Sequence, residues 1–229
     1  MKKLKKMSLA QKVNVMRAAV MGANDGILSV AGIVIGVAGA STSNFAIFIS
    51  GIAGMLAGTV SMAMGEYVSV NSQKDFQKKA IIQQQAALAT NYDHEYDFVL
   101  QKYLAHGIAP RLAKRATEEM MSKDPLTTTV RERFGFNPQE FTSPYEAALA
   151  SMISFPTGSI LPLVAITLFP EQIKVPATFL AVIIALACTG YLAALLSKAD
   201  RFHGVLRNVI SGCITMLVTF GIGYLIGNY

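Results

Sequence analysis

The sequence is poor in charge, contains no Trp and has only two Cys among its 229 residues. Charged residues make up 15% of it, against about 25% in soluble domains, which argues against a water-soluble globule. Cys188 and Cys213 lie inside apolar stretches, with neither C-x-x-C nor Cys/His spacing, so neither a disulfide framework nor a zinc site is expected. Both residues are predicted to pack as small apolar side chains.

Motifs of the common enzyme classes are also missing from the sequence. It contains no His-Glu-x-x-His helix, no Gly-rich phosphate loop, and no nucleophile and base at suitable spacing. The chain is therefore not expected to be an enzyme, and neither a catalytic residue nor a cofactor is predicted. The net charge of +6 could suggest nucleic acid, but the basic residues flank apolar segments, which is typical of membrane proteins instead.

Five long apolar segments are the main feature that the sequence does have. Crossing a ~30 Å hydrocarbon layer takes about 20 helical residues, and each segment is about that long. The segments are Ala18–Ala40, Phe45–Val70, Ala147–Phe169, Val175–Leu196 and Val209–Ile226. The predicted fold class is therefore all-α, a polytopic membrane protein with five transmembrane helices.

The basic residues are distributed very unevenly around these segments. With a cytoplasmic N-terminus, nineteen of the twenty Lys and Arg residues fall on the cytoplasmic side, and Lys174 alone falls outside, as the positive-inside rule requires. The C-terminus is then predicted on the outside. Three regions follow: residues 1–70 with spans one and two, a helical cytoplasmic domain over 71–145, and spans three to five over 146–229. Apolar spacing and turn signals predict about three helices in the middle region, the first continuing from span two.

Two carboxylates interrupt the predicted spans, Asp25 in the first and Glu66 in the second. A charge at bilayer depth costs about 2.5–3.5 kcal/mol, so such residues usually face a bundle interior and mark an ion pathway. Asp25 could instead cap a helix beginning at Gly26, although the remaining apolar stretch would then be short for a span. Glu66 could reach the interface, where an anion at a helix C-terminus would require a cation partner.

A thioether lies beside the second of these carboxylates. Met62 precedes Glu66 by four residues and therefore shares its helical face. Sulfur next to carboxylates favours a borderline transition cation over magnesium or calcium, which prefer all-oxygen sites. A lone Met in an apolar helix is more often core packing, so this alternative stays open.

Small residues recur at four-residue spacing in the first two spans. Such pairs let helix backbones approach closely in a membrane, so spans one and two are predicted to pack tightly, either with each other or across a dimer. The pairs are Gly22/Gly26, Gly32/Gly36 and Gly54/Gly58.

Three segments resemble the vacuolar iron transporter family. They are Gly22-Ala-Asn-Asp-Gly-Ile-Leu-Ser, Ala57-Gly-Thr-Val-Ser-Met-Ala-Met-Gly-Glu-Tyr-Val-Ser-Val and Ala147-Ala-Leu-Ala-Ser-Met-Ile-Ser-Phe. The resemblance implies a five-helix homodimer with its pathway at the subunit interface, moving ferrous iron and often manganese out of the cytosol in exchange for protons. The family's pathway residues match Asp25, Met62 and Glu66. The compact length favours a prokaryotic-type member in a cell membrane.

The cytoplasmic domain departs from the family, whose glutamates there collect metal before transport. The expected glutamate positions are occupied by Gln84, Ala87, Phe98 and Arg133. A neutral glutamine binds a divalent ion less well than a carboxylate does, so the resemblance implies at most a reduced metal site of Glu95, Asp97 and Glu118. A membrane metal sensor or interaction protein that does not transport is therefore the alternative function.

Overall fold

The computed structural model describes residues 9–40 and 43–229, which form eight α-helices and no strand. The helices are α1 Leu9–Ala40, α2 Asn44–Thr90, α3 Tyr92–Ala105, α4 Pro110–Lys123, α5 Pro125–Phe134, α6 Pro144–Leu168, α7 Lys174–Ser197 and α8 Arg201–Gly227. Within this described part, α1, α2, α6, α7 and α8 are long and apolar enough to cross a membrane. The predicted all-α, five-span class is therefore confirmed.

The chain divides into two compact units. Of the described residues, the spanning unit comprises 12–40, 43–68 and 144–229, and the intervening unit comprises 9–11 and 69–143. Helix α2 is continuous over 47 residues and contributes to both units. This confirms that the first helix of the middle region continues from span two.

Helix α1 forms the centre of the spanning unit. Val30, Ala31, Val34 and Ile35 are completely buried, and they pack in one apolar core whose other members include Phe155, Leu186 and Met216. Because these residues recur at helical spacing, one face of α1 is closed off by the later helices.

Glycines let α1 approach its neighbours more closely than larger residues would allow. A Cβ on Gly26 would overlap the carbonyl oxygen of Phe155, and one on Gly158 would overlap that of Ala23. A Cβ on Gly36 would lie 3.2 Å from the Thr219 carbonyl oxygen. The α1 glycines therefore face α6 and α8, so within one chain they do not form the close approach to span two that their spacing suggested. The second-span pair does face inward, since Gly54 abuts the Ile33 side chain of α1.

Capping residues mark the boundaries of α3 and α5 in the intervening unit. Asn91 accepts a hydrogen bond from the backbone N–H of His94 at the start of α3, and Asp124 accepts one from Thr127 at the start of α5. Gly135, with φ 75°, ends α5 in the left-handed conformation that favours glycine. Val99, Met121 and Val130 are buried in this unit, so its helices share a small apolar core.

Candidate cation pathway in the spanning unit

Asp25 lies in the middle of a continuous helix. Helix α1 begins at Leu9, so the alternative that Asp25 caps a helix starting at Gly26 is wrong. The carboxylate accepts a hydrogen bond of 2.8 Å from Ser29 Oγ, one turn further along. Asp25 is exposed on the single chain, and its helix presents it away from the apolar core.

An open groove of about 440 Å³ brings Asp25 and Met62 together. Its residues come from three helices, with Asp25, Ser29 and Ile33 from α1, Gly54, Ala57, Gly58, Ser61 and Met62 from α2, and Phe155 from α6. The α2 side is formed largely by small residues, which leaves room beside the carboxylate. The groove thus combines carboxylate, hydroxyl and thioether donors, a set that suits a borderline transition cation.

Glu66 lies one turn beyond Met62 and is not among the residues that line this groove. It is 7% exposed, and its Oε2 lies 3.0 Å from Nη2 of Arg17. The predicted cation partner is therefore present, but the reason given for it is wrong. Helix α2 continues to Thr90, so Glu66 is far from a helix C-terminus, and the need for a cation arises from burial of the charge instead.

Arg17 is the site residue that the sequence analysis missed, having counted it only as a flanking basic residue. It precedes Met21 by four residues and Asp25 by eight, so the three share one face of α1. Its guanidinium also donates to Asn14 Oδ1 at 3.1 Å and to Met21 Sδ at 3.2 Å. Spacing along the chain does not reveal Arg17 as the partner of Glu66, because the two residues are 49 positions apart and lie on different helices.

The amide of Asn24 joins three of the spanning helices. Its Oδ1 accepts hydrogen bonds from Thr189 Oγ1 of α7 at 3.2 Å and from Asn208 Nδ2 of α8 at 3.0 Å. Ser159 of α6 donates to the Gly26 carbonyl at 3.2 Å. These polar contacts fix the helix that carries Asp25.

Glu95 in the intervening unit is paired with protein groups. Arg133 Nη2 lies 2.8 and 3.0 Å from its two oxygens, and Gln84 Nε2 lies 2.5 Å from Oε2. The Arg133 guanidinium also lies 4.0 Å from the centre of the Phe98 ring. Burial raises the pKa of the Glu95 carboxyl, but the hydrogen bonds from Gln84 and Arg133 and the charge of Arg133 outweigh it, so the pKa is below its ordinary value of 4.5.

The reduced metal site predicted from Glu95, Asp97 and Glu118 is not assembled. Asp97 and Glu118 are exposed, whereas Glu95 is buried. Throughout residues 9–40 and 43–229, no three His, Cys, Asp or Glu side chains are grouped closely enough to hold a metal ion. The physical reason is that Arg133 already neutralises the one buried carboxylate of the three.

The fold and the groove together define a multi-pass helical membrane protein with a polar, sulfur-containing groove in its apolar unit. The model of the VIT family matches residues 16–224. The chain is 32% identical over 211 residues to the "Vacuolar iron transporter" of Acanthamoeba castellanii, covering 92% of this chain and 78% of that protein. It is 33% identical over 216 residues to "Vacuolar iron transporter homolog 3" of Arabidopsis thaliana, covering 93% and 84%. The chain belongs to the VIT family.

Proposed function

We propose that the chain transports divalent metal ions, ferrous iron and/or manganese, out of the cytosol in exchange for protons. The observation that carries the proposal is the single groove in which Asp25 and Met62 lie together. Family membership and the names of the relatives support a metal ion as cargo. A carboxylate in a membrane-spanning helix costs free energy, and such residues usually mark an ion pathway.

The order of residues along α1 and α2 supports a route through the spanning unit. The positive-inside pattern puts the Arg17 and Glu66 end of these helices toward the cytosol. A cation arriving there would reach the Glu66 carboxylate first, then the Met62 thioether one turn on, and then Asp25 with its partner Ser29. Metal ions and protons would compete for the Asp25 carboxylate, and this competition provides a physical basis for antiport.

A second copy of the chain would complete the pathway. The groove is open on one side, and Asp25 faces outward in the single chain. An ionised carboxylate exposed to lipid is unfavourable, whereas a facing copy would enclose it between two protomers. We therefore include a homodimer with the groove at its interface in the proposal.

The proposal is tested by metal uptake into liposomes that contain the purified chain. Wild-type protein is expected to move Fe²⁺ and Mn²⁺ when a proton gradient drives the exchange, and Asp25→Asn is expected to abolish the flux. Glu171→Gln is the matched control, because it removes an exposed carboxylate of the α6–α7 connection outside the groove. Equal uptake by Asp25→Asn would exclude Asp25 from the mechanism.

One observation favours a second function, a membrane metal sensor or interaction protein that does not transport. Arg133 forms an ion pair with Glu95, and the described residues of the intervening unit contain no free acidic cluster that could collect metal. In the same liposomes, metal binding without any flux would support this alternative over the transporter.

A further inference from the structure

Arg17 and Glu66 form a cation–carboxylate pair inside the spanning unit that the pathway described above does not explain. Glu66 is buried, while the Arg17 side chain is 45% exposed. A buried carboxylate needs a nearby cation, and in the described ranges, 9–40 and 43–229, the one ion pair to Glu66 comes from Arg17. Arg17 thus supplies the positive charge that the buried Glu66 carboxylate requires.

The contact between the two residues is of a kind that can be exchanged. It is a single contact of 3.0 Å between Arg17 Nη2 and one oxygen of Glu66. The other polar contacts of Arg17 are to neutral groups, Asn14 Oδ1 and Met21 Sδ. A guanidinium that reaches one carboxylate oxygen through one nitrogen lacks the two parallel hydrogen bonds of the strongest Arg–carboxylate pairs, and the Arg17 side chain is 45% exposed, so the described residues do not enclose it.

Space for a displaced Arg17 side chain is present next to the pair. Arg17 lines a second open groove, of about 380 Å³, between α1 and α7, whose other lining residues are apolar except for Ser197. The aliphatic part of the Arg17 side chain can pack along such an apolar wall while the guanidinium stays at the open side.

We propose that Arg17 is a resident counter-cation that competes with the transported ion for Glu66 and so sets the affinity and charge selectivity of the pathway. The inference rests on the proposed function of Glu66 as a pathway residue. A dication neutralises Glu66 with more charge than a guanidinium can supply, and it displaces Arg17 into the neighbouring groove. A monovalent cation gains no such advantage and leaves the pair intact.

The test compares Mn²⁺ binding, measured by electron paramagnetic resonance in nanodiscs, with Mn²⁺ flux in liposomes. Both are measured at pH 8, where protons compete least. Arg17→Gln is expected to bind Mn²⁺ about tenfold more tightly and to show a similarly lower KM, an order of magnitude typical of removing one charge from a close pair. Arg17→Lys keeps the charge and is expected to stay within about twofold of wild type.

Two further variants make the result specific to the pair. In a Glu66→Gln background, adding Arg17→Gln is expected to change Mn²⁺ affinity less than about twofold, because the carboxylate for which Arg17 competes is gone. This double variant also leaves no unpaired buried charge, so it remains informative if Arg17→Gln alone misfolds. Arg207→Gln removes an exposed cation at the start of α8 and is the control for general charge effects.

The outcomes separate this inference from the proposed function. Wild-type flux together with unchanged or weaker Mn²⁺ binding by Arg17→Gln would overturn the role of Arg17 and leave the transporter standing. Equal effects of Arg17→Gln with and without Glu66 would also overturn it, since the effect would then be long-range. Absence of both flux and binding in wild type and in Arg17→Gln would overturn the two proposals together.

Discussion

Arg133 provides the positive charge that the buried Glu95 carboxylate requires. The guanidinium bonds both carboxylate oxygens and stacks on Phe98, while Gln84 donates to the same carboxylate. Hydrogen bonds between a guanidinium and a carboxylate are charge-assisted and stronger than those between neutral groups. The intervening unit therefore contains its own fixed cation at the one buried carboxylate of the predicted metal site.

Replacing Arg133 is expected to destabilise the intervening unit. Arg133→Gln leaves the Glu95 charge buried without a cation, and we expect a loss of about 2 kcal/mol, less than for a fully buried pair because the Arg133 side chain is 31% exposed. Chymotrypsin cleavage within residues 92–143 of the full chain should become faster. The double variant Glu95→Gln with Arg133→Gln should recover most of the wild-type resistance to chymotrypsin. Glu119→Gln changes an exposed carboxylate and should be cleaved at the wild-type rate. Wild-type resistance of Arg133→Gln would mean that the ion pair does not hold this unit together.

At the level of the helices, close backbone approach determines how α1 packs. Gly26 lies against the Phe155 backbone and Gly158 against that of Ala23, so α1 and α6 meet without side chains between them at these points. Small residues provide such contacts where lipid offers no hydrophobic drive for helices to associate. The helix that carries Asp25 is positioned from its back by α6 and α8.

A single methyl group at this contact should loosen the spanning unit. Gly26→Ala is expected to cost about 1–3 kcal/mol, because the new Cβ overlaps a carbonyl oxygen that cannot move without its helix. The measurement is the temperature at which half of the detergent-solubilised protein leaves its monodisperse size-exclusion peak. Gly221→Ala is the matched control, since a Cβ there meets no described atom within 4 Å. If both variants leave the peak at the same temperature, the close contact between α1 and α6 does not limit the stability of the spanning unit.

For the whole molecule, the proposed homodimer predicts which surfaces meet. Ser61 lines the open groove, so in a protein with Cys188 and Cys213 replaced by Ala, Ser61→Cys should form a disulfide-linked dimer under mild oxidation. Leu180→Cys is the control, because Leu180 is 62% exposed on α7, away from the groove. Cross-linked product is read by non-reducing electrophoresis of membranes. Cross-linking at Leu180 but not at Ser61 would place the interface elsewhere.

Much of the fold was predictable because the membrane imposes it. Apolar length alone predicts five spans, and the described helices contain all five. Where α1 begins was not predictable from apolar length, since Lys12, Asn14 and Arg17 interrupt the apolar pattern while the helix continues from Leu9. A polar first turn is as helical as an apolar one when its backbone hydrogen bonds are made within the segment.

The candidate site was predictable only in part. Asp25 and Met62 could be singled out by their chemistry, and the structure brings them to one groove. Arg17 and Ser29 could not be singled out in this way, because Arg at the end of an apolar segment and Ser inside one are both common. Only the packing of α1 against α2 brings Arg17 to the Glu66 carboxylate. In the intervening unit, spacing along the chain did not reveal that Arg133 would lie on Glu95, since the two are 38 residues apart.

The hydrogen bonds of Asn24 bear on how the protein is made. Its partner Asn208 is 184 residues later in the chain, and Thr189 is 165 residues later. During synthesis, which proceeds from the N-terminus, the Asn24 amide in α1 lacks these two partners until α7 and α8 have been made. The hydrogen bonds of the first helix are therefore completed only when the last helix is in place, and truncation before α8 leaves the Asn24 amide without its Asn208 partner in an apolar surrounding.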